Sequence, residues 1–211
     1  MDVRGVTVGP VQENCFLAKG EDGHGFVVDP GDEAEVLLEG IRELGIEHVD
    51  AILLTHCHFD HVGAVAPVAK ATGAPVYCPK LEVPLVQDIM RFVPWPGFGP
   101  YEGHDPEHTV EGGETLTIAG LTIDVVFTPG HSPGHVTYAI EDEGVLFSGD
   151  VLFQGSVGRV DLPGGDWDTL AQSIQLLLDR YPDDTQVLPG HMGATTLGRE
   201  RATNPFLTEL V

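Results

Sequence analysis

Three imidazoles and a carboxylate fall within six consecutive positions, as His56, His58, Asp60 and His61, directly after the apolar run Ala51-Ile52-Leu53-Leu54 that reads as a buried strand. The chain holds ten histidines, so one or two together would mean little. Three with an aspartate at the mouth of a strand read as a ligand cluster rather than a solvated acidic-basic turn, because unpaired histidines gain nothing from such crowding. Neutral imidazole and carboxylate are donors that suit zinc, iron or manganese. Three later apolar runs end in the same way: Val125 to Gly130 leads to His131, Val145 to Gly149 to Asp150, and Gln186 to Gly190 to His191. Glycine and proline punctuate strand ends, and strand-to-loop junctions hold functional groups on rigid supports. Each of these taken singly is an ordinary turn residue or cap; four strand ends converging on one face would make a site.

The pattern of apolar residues supplies the elements that must hold these donors. Strands are expected at 3–8, 15–18 and 25–29, then a helix at 33–44 with Val36, Leu37, Ile41 and Leu44 on one face and Gly45 as its stop. The small-residue segment 62–72 reads as helical despite Pro67, and further strands fall near 75–78, 115–119, 121–128, 135–140 and 144–148. An amphipathic helix at about 167–180 turns Trp167, Leu170, Ile174, Leu177 and Leu178 inward, with Asp166 as its cap. This order is compatible with an α/β protein of two packed sheets flanked by helices. The stretch from Pro84 to His108 is long, aromatic and proline-rich. Such segments are usually functional, and it is expected to form a lid shaping an apolar pocket, with Trp95, Phe98 and Tyr101 facing substrate; an ordinary surface loop is the alternative. His104 and His108 read as surface groups. Cys57, between two ligands, is expected to be a buried or outward thiol rather than a thiolate ligand, since neighbours in an extended loop point opposite ways.

Composition narrows the function classes. At 211 residues the chain can bury a sizeable core as one domain. No run approaches the roughly 20 apolar residues of a membrane span. Met1 to Gly5 carries no cationic segment followed by an apolar block, so no signal peptide is indicated. Three cysteines form no disulfide framework, which fits a reducing cytoplasm. The 33 acidic against 10 basic residues, a formal charge of −23, exclude a nucleic-acid partner, and solubility or a salt-rich habitat is the simplest account of the charge. A small molecule is the expected partner, with no membrane.

The ordered motifs His-x-His-x-Asp-His, Gly130-His131, Gly149-Asp150 and Gly190-His191 resemble the metallo-β-lactamase superfamily. Within it, the chain is similar to the short bacterial glyoxalase II-like (hydroxyacylglutathione hydrolase-like) members. Gln12-Glu13-Asn14, Val28 to Gly31, Pro129 to His135, Gly158 to Gly165, Thr196-Leu197-Gly198 and Asn204-Pro205-Phe206 add to the resemblance, which spans nearly the whole chain. It implies an αββα sandwich of two mixed sheets, a single domain over 1–211 without the helical C-terminal domain of full-length glyoxalase II. It also implies two divalent metal ions, zinc first and iron or manganese as alternatives. His56, His58 and His131 would hold the first, Asp60, His61 and His191 the second, and Asp150 would bridge them. Two-metal sites share a water of lowered pKa that is a nucleophile near neutral pH. Asp60 is then the ligand that positions this hydroxide against a thioester carbonyl. His58, where the flavodiiron branch has Glu, favours hydrolysis.

Beyond the ligands, Asp29 and His135 are expected either to orient them by hydrogen bonds or to be a plain turn aspartate and strand histidine. Arg159 is read as substrate-facing, against a structural salt bridge. Arg159 and Asp161 align where the glutathione-binding enzymes have Lys and Tyr, and an aspartate there is a poor partner for a carboxylate-rich thiol. The same Gly-Arg-x-Asp pattern resembles the persulfide dioxygenases, whose single iron would fall on His58, His131 and Asp150. A metal-binding protein without catalysis ranks below both, since a closed structural site rarely needs seven ligands. A lactone or phosphodiester substrate, the thiol carrier, the natural metal and the oligomeric state stay open.

Overall fold

The first three strands, β1 (Asp2–Val8), β2 (Glu13–Lys19) and β3 (His24–Val28), show how the chain is layered. On β2, Cys15 and Leu17 pack into one core while Phe16 and Ala18 pack into another, and all four are buried. A strand buried on both faces needs cover on both. Helix α1 (Ala34–Glu43) supplies it on one side, together with α3 (Val65–Thr72), which follows β4 (His48–Leu53) and the four-residue α2 (Phe59–Val62). The chain continues through β5 (Val76–Pro79), α4 (Val83–Gln87), α5 (Ile89–Phe92), β6 (His108–Val110), β7 (Thr115–Ile118), β8 (Leu121–Phe127), β9 (Val136–Ile140) and β10 (Val145–Gly149). A short ribbon, β11 (Leu152–Phe153) and β12 (Ser156–Val157), precedes α6 (Trp167–Arg180), β13 (Gln186–Pro189), β14 (Thr195–Thr196) and α7 (Leu197–Thr203). The computed structural model describes residues 1–93 and 95–207. Pro94 of the aromatic segment and residues 208–211 of the expected domain lie outside them.

Among the described residues the strands form two six-stranded mixed sheets, ordered β1-β2-β3-β4-β5-β6 and β14-β13-β10-β9-β8-β7. The first is antiparallel to β3 and parallel from there on; the second is antiparallel except for β10 with β13. That parallel pair is joined through α6, as a crossover requires. The core between the sheets holds Phe16 and Phe26 edge-on to Phe147 at 5.6 and 5.8 Å. The outer core of the first sheet packs on α1 and α3, and that of the second on Leu170, Ile174, Leu177 and Leu178 of α6. This is the expected four-layer αββα sandwich. No helix among the described residues is long and apolar enough to cross a membrane.

Phe147 is 1% exposed and joins the two sheets. Phe147→Ala is expected to destabilise by about 3–5 kcal/mol, transfer and cavity terms together. A urea unfolding midpoint that falls at constant slope would show it; an unmoved midpoint would contradict the layering.

Several expectations are corrected. Val36 is 46% exposed because it falls one residue off the inward stripe of α1, which is Leu37, Gly40 and Ile41; Leu44, at the C-cap, is half-buried and packs against that core as expected. Trp167, the first residue of α6, is 37% exposed and lies outside the stripe. The segment 62–72 is helical from Val65 to Thr72, as expected, but not continuously from its start: Val62 ends α2 and Gly63 and Ala64 separate the two helices, while Pro67 sits in the first turn of α3, where its missing N–H has no partner to lose. The stretch 84–108 is not one irregular loop. Pro84 near the start of α4 opens a helical pair, and His108 ends the stretch as a strand residue whose exposed ring lies 4.5 Å from that of Tyr77.

Candidate metal centre

The ends of β4, β8, β10 and β13 meet at one edge of the sandwich, where Val136 N–H, at the start of β9, donates to the carbonyl of Thr55 at 2.9 Å. The loop after β4 carries His56 and His58 into α2, whose first turn presents Asp60 and His61. The loops after β8, β10 and β13 bring in His131, Asp150 and His191. Donor atoms of His56, His58 and His131 form one group, and those of Asp60, His61 and His191 another, each within 4.8 Å. The Asp150 carboxylate lies between them, Oδ2 being 3.4 Å from His131 Nε2 and 3.7 Å from His191 Nε2, and Oδ1 3.4 Å from His61 Nε2. Such close approach needs glycine: a Cβ on Gly190 would overlap Asp150 Oδ1 and the His61 ring.

Hydrogen bonds fix the rings. Asp29, at the end of β3 with φ 49°, accepts the Thr55 amide at 2.7 Å and the Thr55 hydroxyl at 2.6 Å. Its Oδ2 also lies 3.1 Å from His61 Nδ1, and Thr55 Oγ1 is 3.1 Å from His56 Nδ1. His131 Nδ1 meets the Arg159 carbonyl at 2.7 Å and His191 Nδ1 the Gln12 carbonyl at 3.3 Å. With Nδ1–H donating in each case, these four rings keep Nε2 for the centre, while His58 brings Nδ1 to 2.8 Å from His131 Nε2. His135 accepts the Asp150 amide on Nε2 at 3.1 Å and lies 3.1 Å from Thr128 Oγ1 through Nδ1. Both Asp29 and His135 thus touch the donor set through hydrogen bonds.

The electrostatics suit a cation. Burial, then the neighbouring imidazoles, push His56 well down and His58 down to about 4, so both are neutral with a free lone pair. Burial alone would raise the Asp150 carboxyl, yet His61 and His131 hold it far below the usual carboxylate range. His56 Nε2, His61 Nε2 and Asp150 Oδ1 are buried with no hydrogen-bond partner among the described residues. Buried orphan atoms are rare and call for an explanation, and ligation of divalent cations is one that fits this donor set.

Sequence reasoning missed Glu82 and the place of Glu13. Glu82, 1% exposed, accepts from Ser132 Oγ at 2.9 Å, Gly134 N at 2.7 Å and Cys57 N at 3.3 Å, tying the His58 loop to the His131 loop. A lone glutamate before a proline-containing helix carries no sequence signal for that. Glu13 is wholly buried, 3.8 Å from His61 Nδ1, and only its place in the motif beside Asn14 could have drawn attention. Asn14 donates to the carbonyls of Pro189 and Met192 and so brackets His191. Glu82→Ala is expected to weaken metal binding 10- to 100-fold, as loss of a ligand-orienting partner typically does, read by competition with a chromogenic chelator; unchanged affinity would contradict the role.

Above the donors lies a cavity of about 700 Å³. Trp95 and Arg159 line it. Phe98 and Tyr101 do not, correcting their expected place: after the positive-φ turns at Gly97 and Gly99, Phe98 packs on Phe59 at 4.9 Å and Tyr101 reaches Asp32. Arg159 gives Nε and Nη2 to the two oxygens of Asp161 at 2.6 and 2.7 Å, so the expected cation faces the cavity in a salt bridge. The Cys57 thiol is buried 3.5 Å from Cys78 Sγ.

Residues 8–191 match the profile of the metallo-beta-lactamase superfamily. The chain is 35% identical over 213 residues to the hydroxyacylglutathione hydrolase GloC of Haemophilus influenzae, covering 98% of each. Its structure is similar to that of BLEG-1 B3 metallo-beta-lactamase, with 40% identity, a TM-score of 0.92 and coverage of 98% and 100%. It is also similar to TTHA1623 in a di-iron-bound form, with 44% identity, a TM-score of 0.85 and coverage of 97% and 100%.

Proposed function

The chain belongs to the metallo-beta-lactamase superfamily, and on that premise we propose that it is a dinuclear metal-dependent hydrolase acting on thioesters. The observation that carries the reading is the Asp150 carboxylate, within 3.4–3.7 Å of His61, His131 and His191 and so in reach of both donor groups. His56, His58 and His131 are assigned to one cation, Asp60, His61 and His191 to the other, and Asp150 to both. Zinc is the first choice; the di-iron form of TTHA1623 keeps iron in view. Bound there, divalent cations supply an ionised water at neutral pH and positive charge for a developing oxyanion.

The chain's own residues do the rest. Asp60 and Asp150 bring carboxylate charge to the centre, and Asp29 and Thr55 hold His61 and His56 with Nε2 inward. His135 holds the Asp150 backbone. The apolar cavity binds the acyl arm and thins the water around the carbonyl. Thioesters ask little of a general acid, since a thiol of pKa about 8.5 leaves readily as thiolate. The likeness to GloC supports this substrate class.

A second reading is a mononuclear iron persulfide dioxygenase. The compact set His58, His131 and Asp150, with 2.8 and 3.4 Å between successive atoms, favours it. Thiol release from glutathione and uncharged thioesters separates the two. The hydrolase reading expects turnover that a chelator abolishes and added metal restores. Chelator-insensitive turnover would overturn it, as would oxygen uptake with a persulfide and no thiol release.

A further inference from the structure

The walls of the cavity say more about the substrate than its floor does. The floor is the donor cluster. The walls include Leu85, Ile89, Phe92 and Trp95 of the α4–α5 segment and Phe153 and Val157 of the β11–β12 ribbon. The apolar wall starts beside the donors: Phe59, between His58 and Asp60, lies edge-on to Trp95 with ring centroids 6.1 Å apart. Phe92 and Trp95 are each 43% exposed, large rings left open to solvent at a concave site. Exposed apolar surface around a pocket marks ligand binding.

Charge points the same way. The cations among the described lining residues are Arg91 and Arg159. Asp161 holds Arg159 in a bidentate pair, and the Arg91 guanidinium lies over the Phe92 ring at 5.5 Å. Asp60, Asp150 and Glu82 line the same cavity, in a chain of formal charge −23. A thiol with several carboxylates, such as glutathione, meets little here to hold them, whereas an alkyl or aryl arm meets apolar wall from the carbonyl outward.

Resting on the hydrolase reading, we infer that the substrate is a thioester with an apolar acyl arm, a medium-length chain or an aromatic ring, on a thiol that carries no carboxylates. The arm lies along Leu85, Ile89, Phe92 and Trp95.

Calorimetric titration with S-butyl, S-hexyl and S-octyl thioethers of thioglycerol, and with the same alkyl groups on glutathione, tests arm and carrier apart from turnover. It is run on zinc-loaded and on chelator-treated protein. Affinity is expected to rise about fourfold per methylene, about two hundredfold from butyl to octyl, in both preparations. The glutathione conjugates should bind no tighter than those of thioglycerol. Trp95→Ala should cut the butyl-to-octyl gain at least threefold. Phe127→Ala, which removes an equally exposed aromatic outside the cavity lining, should leave it. A flat series, or glutathione conjugates that bind tenfold tighter, would overturn the inference. A rising series without metal-dependent thioester hydrolysis would leave the ligand class standing and sink the hydrolase reading instead.

Discussion

Asp150→Ala is expected to lower bound metal from two ions per chain to one or fewer and to reduce kcat by about 10³-fold or more, a barrier increase of about 4 kcal/mol. The side chain is nearly buried, one oxygen has no hydrogen-bond partner among the described residues, and the other lies 3.4 Å from His131 Nε2 and 3.7 Å from His191 Nε2. Its removal leaves the Asp60 carboxylate to balance both cations. Asp150→Asn keeps the shape and removes the charge, so it should lose metal almost as severely if charge is what matters. Metal analysis, steady-state kinetics and far-ultraviolet dichroism on the same preparations check the prediction together. Full turnover with two ions still bound would contradict the assignment of Asp150 to both.

Chelation is the second large effect. Metal that binds the folded chain and not the unfolded one stabilises it by about 4 kcal/mol when present at about 1,000 times its Kd. For a chain of this size that corresponds to roughly 8–16 °C in Tm. The sign with pH follows from the metal-free protein. Burial opposes a proton on His61, but Asp150 and Asp29 outweigh it and raise its proton affinity well above the ordinary imidazole value. His191 is raised too, burial being outweighed by Asp60 and Asp150. Stability that these protons give the metal-free fold is present below the ordinary imidazole pKa and is lost as pH rises through the raised values. Metal must displace the same protons. His56 and His58 are pushed down and hold none to displace near neutrality. The gap in Tm between metal-loaded and metal-free protein should therefore widen as pH rises above about 6.5. A scanning calorimetry series that showed the gap constant or shrinking would contradict it.

Much of the centre is legible in the sequence because its signals are local. His56 to His61 form one contiguous motif, and each remaining donor directly follows an apolar run with a glycine before it. The strand positions come through as well: β2 and β3 are short apolar runs buried on both faces. What escaped depends on rotation and on contacts distant in the chain. Val36 falls one residue off the inward stripe of its helix, and Trp167 is the first residue of α6, where the helix end leaves it open to solvent. Phe98 and Tyr101 leave the cavity because two glycine turns redirect the chain. Glu82 acts across fifty residues on Ser132, a separation no periodicity reports. The Arg159–Asp161 pair is the salt bridge expected as the alternative reading of Arg159, and the same residue lines the cavity.

The most direct measurement is metal content per chain by plasma mass spectrometry, on protein purified without added metal or chelator, with thioester turnover assayed on the same sample. The account predicts close to two ions per chain, zinc or a mixture with iron or manganese, and activity that falls in step with their removal. One iron per chain, no uptake of a second ion on titration, and oxygen consumption with a persulfide would contradict it.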